Sequence, residues 1–165
     1  MAINTTSEKY LHELGDIYDA EHQFLEAQQE SLGQASDSVL REGIERHVEE
    51  TQEQIKNLEQ IYELLGQKPR RETCEAARGL VAEGQKNMKE AGNEAIRDCL
   101  IGGALDKVEH YEVASYRGLI VGAQQMGQED VERLLQQNLQ QEEQAAQKLE
   151  VNAPMLIKRA LQAEV

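Results

Sequence analysis

Apolar residues recur in steps of three and four along most of this chain, the spacing of helices that each bury one stripe. Leu11, Leu14, Tyr18, Glu21, Leu25 and Gln28 predict a first helix from about Ser7 to Gln29. Gly33, with Ser31, Ser36 and Asp37 near it, breaks the pattern, and Asp37 is placed to cap a second helix whose apolar face begins at Leu40. That helix continues through Ile44, His47, Thr51, Ile55, Leu58 and Ile61 to Leu65, where Gly66 and then Pro69 stop it.

From Gln67 to Asn93 the pattern weakens. Thr73 is placed to cap a short helix through Cys74, Ala77, Leu80, Val81 and Met88, interrupted by Gly79 and Gly84 and ended by Gly92 with Asn93. A third long helix follows from about Glu94 to Gln124, with Ile101, Leu105, Glu109, Glu112, Tyr116 and Leu119 on its seam. After a turn at Gly127, Val131, Leu135, Asn138, Glu142, Ala145 and Leu149 predict a fourth, from about Gln128 to Ala153. Pro154 then starts a short C-terminal helix, Met155 to Ala163, with Met155, Leu156 and Leu161 on its apolar side.

Four long helices with a long connection in the middle predict an all-α antiparallel bundle with one crossover, the ferritin-like arrangement. Helices one and two are then related to helices three and four by a pseudo-twofold axis. The repeated Glu21-His22 and Glu109-His110 dipeptides are what such a duplication would leave, with Glu50 and Glu142 as a second equivalent pair.

Composition agrees with helix. The chain has 165 residues, with two Pro, one Phe and no Trp, and its length suits a single domain with a sizeable core. Lys and Arg number 17 against 31 Asp and Glu, a formal charge of 17 − 31 = −14. That balance argues against nucleic acid or an anionic membrane as partner and is compatible with attracting cations. No apolar run approaches the roughly 18 residues of a membrane span, and Met1-Ala2-Ile3-Asn4-Thr5 lacks the basic and apolar regions of a signal peptide. Cys74 and Cys99 follow no metal-ligand spacing; two reduced thiols in a cytoplasmic protein are expected, with a disulfide as the alternative.

The seams carry the chemistry. A lone carboxylate is costly to bury, yet Glu21, Glu50, Glu109 and Glu142 occur at matching points on four helices. His47 lies on the stripe beside Glu50, and Glu112 follows Glu109 by one turn. Together these six side chains suit two hard first-row ions, iron or manganese. The usual bundle site takes one Glu from each of two helices and Glu-x-x-His from each of the others. Here helix two has the reverse order, His47-x-x-Glu50, and helix four has Ala145 where a His is expected. His22 and His110 fall off the stripes, while Tyr18 and Tyr116 flank the site, either donating to its carboxylates or packing as core aromatics.

These residues resemble the ferritin-like stress-protein family of bacteria, the YciE/YciF group, over nearly the whole chain. The matching segments are Leu14-Gly15-Asp16-Ile17-Tyr18-Asp19-Ala20-Glu21, His47-Val48-Glu49-Glu50-Thr51, Cys74-Glu75-Ala76-Ala77-Arg78-Gly79-Leu80, and Val108-Glu109-His110-Tyr111-Glu112-Val113-Ala114 followed by Tyr116. The resemblance implies a four-helix ferritin-like fold, often a dimer, and a two-metal site at Glu21, His47, Glu50, Glu109, Glu112 and Glu142. Helix four departs most from the family pattern, and its ligand is Glu142 or Glu143; the seam favours Glu142.

Two functions fit. One is a di-iron or di-manganese protein reacting with peroxide or dioxygen. The other is a non-catalytic, metal-stabilised dimer or scaffold of stress physiology. A storage cage is less favoured, because nothing in the sequence marks the channels or interfaces that a cage requires.

Overall fold

The computed structural model describes residues 2–164 and contains five helices: α1 (Thr6–Gln34), α2 (Ser38–Leu64), α3 (Glu75–Glu90), α4 (Glu94–Gln125) and α5 (Glu129–Gln162). The four long helices are α1, α2, α4 and α5, so the third and fourth of the sequence pattern are α4 and α5. Among the described residues there is no strand, and no helix is long and apolar enough to cross a membrane.

Four of the five helix starts carry a side chain that satisfies otherwise unpaired N–H groups, while Gln128 at the start of α5 makes no such bond. Thr5 and Glu8 form a reciprocal capping box on α1, and Asp37 Oδ1 accepts from Leu40 N at 2.9 Å. At α3 the cap is Cys74, whose sulfur accepts from Ala77 N, so the helix starts one residue beyond the expected Thr73 cap. Gly66 and Gly127 hold φ of 65° and 67°, left-handed values that suit glycine, and both follow the ends of long helices as the sequence indicates.

Two ends differ from the expected boundaries. Gly33 does not end α1, which continues to Gln34, because Ser31 and Ala35 remain buried against the core. Pro154 does not begin a separate helix but lies inside α5. Its ring removes only one backbone donor on an exposed face, while Leu156 and Ala160 stay buried beyond it. Arg159 also pairs with Asp37 and lies 3.7 Å from Asp98, tying that last stretch to the start of α2 and α4.

The direction of each helix follows from its contacts. Gln28 meets Thr51 and Tyr18 meets Glu59, so α1 and α2 are antiparallel. Gln54 meets Glu142 and Asn57 meets Asn138, so α2 and α5 are antiparallel too. Tyr10 lies against Gly122 near the end of α4, while Ser36 meets Asp98 near its start. Hence α2 and α4 run parallel on opposite sides of the bundle, and the chain must return along its length between them. That return is the crossover, with α3 packed outside α1 and α4. The fold is the all-α, ferritin-like bundle with one crossover.

The crossover is pinned at Gly15, where a Cβ would stand 3.0 Å from the Arg70 carbonyl oxygen and Glu72 N donates to the Gly15 carbonyl at 3.1 Å. Asp19 is buried nearby and accepts from Cys74 N and Arg71 Nε, both at 2.8 Å. Burial pushes its carboxyl up, but the Cys74 amide, Arg71 and Gln23 together hold it below the usual range. Both cysteines are free thiols.

Two apolar clusters form along the bundle axis. One includes Leu14, Ile17, Leu58, Ile61, Leu119 and Leu135; the other includes Leu40, Ile44, Ile101, Leu105 and Leu156. Between them, on all four long helices, lies a buried polar layer that includes Glu21, His47, Gln54, Glu109, Glu112 and Glu142.

Candidate metal centre

Helical periodicity brings the polar layer together. Glu109 and Glu112 are one turn apart on α4, so both project from one face. His47 faces them from α2, Glu142 from α5 and Glu21 from α1. Donor atoms of His47, Glu109, Glu112 and Glu142 all lie within 4.8 Å of one another. Glu142 is fully buried, whereas its neighbour Glu143 is exposed and bonds Arg117; the helix-four alternatives therefore separate by burial.

Glu50 takes a different position. His47 Nε2 faces Glu109 Oε2 at 3.0 Å and Glu142 Oε2 at 3.5 Å, while Nδ1 of the same ring lies 3.0 Å from Glu50 Oε2. Glu50 therefore stands on the opposite side of the imidazole from the carboxylate cluster and is partly exposed. In the neutral ring, a proton on Nδ1 shared with Glu50 would leave the Nε2 lone pair pointing into the cluster. A carboxylate holding a histidine in this way fixes the tautomer that a metal requires.

A ring of neutral donors surrounds the charges. Gln54 Nε2 donates to Glu142 Oε1, and Tyr116 OH donates to Glu21 Oε1. Asn138 Nδ2 donates to the Tyr116 oxygen at 3.0 Å, and Asn57 Nδ2 to Asn138 Oδ1 at 2.7 Å. Thr51 donates to Gln28 Oε1 at 3.1 Å. Tyr116 thus contacts the site, whereas Tyr18 points away to Glu59 and packs edge-on against His22 and Tyr62. His110 is exposed and bonds the Asp106 carbonyl, so neither off-stripe histidine joins the cluster.

Gln54 is the residue the seam pattern missed. Ile55 occupied the apolar stripe in that reading, yet Gln54 is fully buried. The signal was present as polar residues at positions 47, 51 and 54, the i, i+4, i+7 face of one helix.

The electrostatics are those of a site short of positive charge. Burial, then Glu142, Glu21 and Glu109, pushes the Glu112 carboxyl well above its ordinary value. Burial and Glu109 do the same to Glu142, and burial brings Glu21 to about 7 against the lowering effects of Tyr116 and His47. Burial opposes the charged form of His47, but Glu109 and Glu142 outweigh it and raise the imidazole well above its usual value. Burial also opposes Glu109 ionisation, and the adjacent His47 outweighs it, leaving that carboxyl lowered.

Hydrogen bonds leave much of this layer unsatisfied. Among the described residues, Glu21 Oε2, Gln54 Oε1, Glu109 Oε2, Glu142 Oε2, His47 Nε2 and both Glu112 oxygens are buried without a hydrogen-bond partner. His47 Nε2 and Glu109 Oε2 are close but not aligned for such a bond. Buried polar atoms of this kind are rare in folded proteins and cost about 1–3 kcal/mol each. The donor set fits a metal: oxygen-rich with one imidazole, converging, and lacking a counter-charge.

A family model described as a domain of unknown function, DUF892, matches residues 5–162. The chain belongs to this family. It is 33% identical over 143 residues to Protein YciF of Escherichia coli (strain K12), covering 86% of each sequence. The solved structure of the E. coli stress protein YciF matches with a TM-score of 0.90 at 31% identity, covering 94% of this chain and 99% of that one. The structure of YcfI from Rhodopseudomonas palustris matches with a TM-score of 0.88 at 39% identity, covering 90% and 94%. The resemblance to the YciE/YciF group thus holds over the whole bundle.

Proposed function

We propose that the polar layer holds two iron or manganese ions and that this YciF-like chain is a stress protein whose centre reacts with peroxide. The observation that carries this is the set of seven buried, unpartnered donor atoms converging from four helices. Its ligands are His47, Glu109, Glu112 and Glu142, with Glu21 beside Glu112 for the second ion. Glu50 orients His47 from the outer side of its ring.

When bound, such ions supply electrons to peroxide and charge to balance the carboxylates. The chain's own groups do the rest. Gln54 and Tyr116 fix the inner carboxylates, His47 keeps its lone pair inward, and the apolar clusters above and below limit water. The protein is further proposed to act as a homodimer, as the family resemblance implies, without nucleic acid or membrane as partner.

Metal analysis of protein purified without oxygen, paired with a peroxide-consumption assay, tests the proposal. Two equivalents of iron or manganese per chain with peroxide turnover are expected. Bound metal without turnover, together with a large metal-dependent rise in melting temperature, would support the metal-stabilised scaffold instead.

A further inference from the structure

A groove of about 630 Å³ opens between α2 and α5 and ends at the centre. Its rim includes the exposed Val39, Val151 and Met155, and its walls include Ile44, Leu105 and Leu149. At its inner end are His47 and Glu109, both buried and each with an unpartnered atom, and Glu50 beside them. An apolar cleft of this size with a few converging polar groups has the form of a small-molecule site.

Gly43 lines the same groove, in the interior of α2. Glycine there costs about 1 kcal/mol relative to alanine. No packing requires it, because a Cβ at position 43 would meet nothing within 4 Å. Its effect is to leave the groove open. The charge around the groove also limits the occupant. Glu42 and Glu50 offset Arg46 and Lys148 along the lining, and the chain as a whole carries −14. An anionic head group gains nothing on approach.

We propose that this groove admits an uncharged alkyl hydroperoxide, apolar chain outward and O–O bond at the inner end beside His47 and Glu109. The inference rests on the peroxide reading of the centre and names its substrate class. In the reaction the O–O bond of R–O–O–H is cleaved, and two protons and two electrons yield R–O–H and water. Those two electrons would be supplied, one each, by two divalent ions held by His47, Glu21, Glu109, Glu112 and Glu142, and the protons would come from solvent through the groove.

The test uses the full chain. N-phenyl-1-naphthylamine, an uncharged fluorescent probe, is titrated into metal-free protein and then displaced. One probe per chain is expected, released by decyl hydroperoxide and not by the same concentration of hydrogen peroxide. Gly43→Phe should weaken probe binding at least tenfold while metal content stays unchanged, and in the loaded protein should slow decyl hydroperoxide consumption far more than that of hydrogen peroxide. Absence of probe binding, or binding indifferent to Gly43→Phe, overturns the proposal. So does a dimer that dissociates in Gly43→Phe, since the groove would then be an interface between copies. Probe displacement that behaves as expected in a chain that takes up no metal overturns the metal reading and leaves the groove as an apolar binding site.

Discussion

His47 Nε2 lies 3.0 Å from Glu109 Oε2, without the alignment of a hydrogen bond, while Nδ1 across the ring meets Glu50 Oε2 at 3.0 Å. One imidazole therefore has an inner face directed at the buried carboxylates and an outer face held by a carboxylate at the groove. Glu50 and Glu109 thus take different positions around His47, which sequence spacing alone treats alike.

The first prediction follows from that separation. His47→Ala removes a ligand and should reduce metal content to one equivalent or less. Glu50→Gln keeps a partner for Nδ1 but loses its charge, and should weaken metal affinity by about 10–100-fold, the usual cost of losing an outer partner. Competition against a chelator of known affinity measures both. If Glu50→Gln removes metal as completely as His47→Ala, Glu50 is itself a ligand.

The second concerns pH. Glu112, Glu142 and His47 are raised well above their ordinary values and Glu21 to about 7, so the folded metal-free chain holds protons that the unfolded chain releases. Stability from these groups is complete below the unfolded values, near 4.5 for Glu, and is lost as pH rises through the folded ones. Metal-free protein should therefore lose stability between pH 5.5 and 8, by roughly 1.4 kcal/mol per pH unit for each proton linked. Lowered groups such as Glu109 act below that window. Metal binding displaces the same protons, so affinity should rise with pH. Urea denaturation at both pH values, with chelator and with excess metal, gives slopes of opposite sign; equal slopes would remove the cluster as the cause.

A third prediction isolates the hydrogen-bonded ring. Tyr116→Phe leaves Glu21 Oε1 without its donor and Asn138 Nδ2 without one of its acceptors, both in a fully buried layer. The metal-free chain should lose about 1–3 kcal/mol. Tyr18→Phe should lose less, since that hydroxyl meets only the partly buried Glu59. Equilibrium denaturation of the two variants checks the order, and a larger loss in Tyr18→Phe would contradict it.

The bundle was legible because its helices bury a regular stripe, and the crossover because the pattern fails between Gln67 and Asn93. The shared burial of Glu21, His47, Glu109, Glu112 and Glu142 was legible because a charged residue on an apolar stripe conflicts with its position. Glu50 lay near the same stripe, but a helix turns about 100° per residue, and adjacency to His47 did not reveal which ring nitrogen it meets. Gln54 was hidden because an uncharged amide beside Ile55 reads as ordinary surface. Pro154 was misread because local propensity stops a helix there, whereas packing beyond it continues the helix.

The last prediction tests that override. Pro154 leaves the Glu150 carbonyl of α5 without its usual N–H partner, on an exposed face. Leu156 is buried against Gly102, where an added Cβ would stand 3.1 Å from Leu156 Cδ1, and Arg159 holds Asp37. If packing sustains the end of α5 against the proline, Pro154→Ala should stabilise the chain by up to about 3 kcal/mol, because the restored bond outweighs the smaller loss of the proline's restriction of the unfolded chain. Leu156→Ala should cost about 2–5 kcal/mol through its cavity and free the last turns of α5. Urea denaturation gives the two energies, and amide hydrogen exchange over residues 155–162 reports the helix end directly. Protection there that survives Leu156→Ala would show that the helix persists without this contact. A destabilised Pro154→Ala would show that the proline ring itself contributes packing.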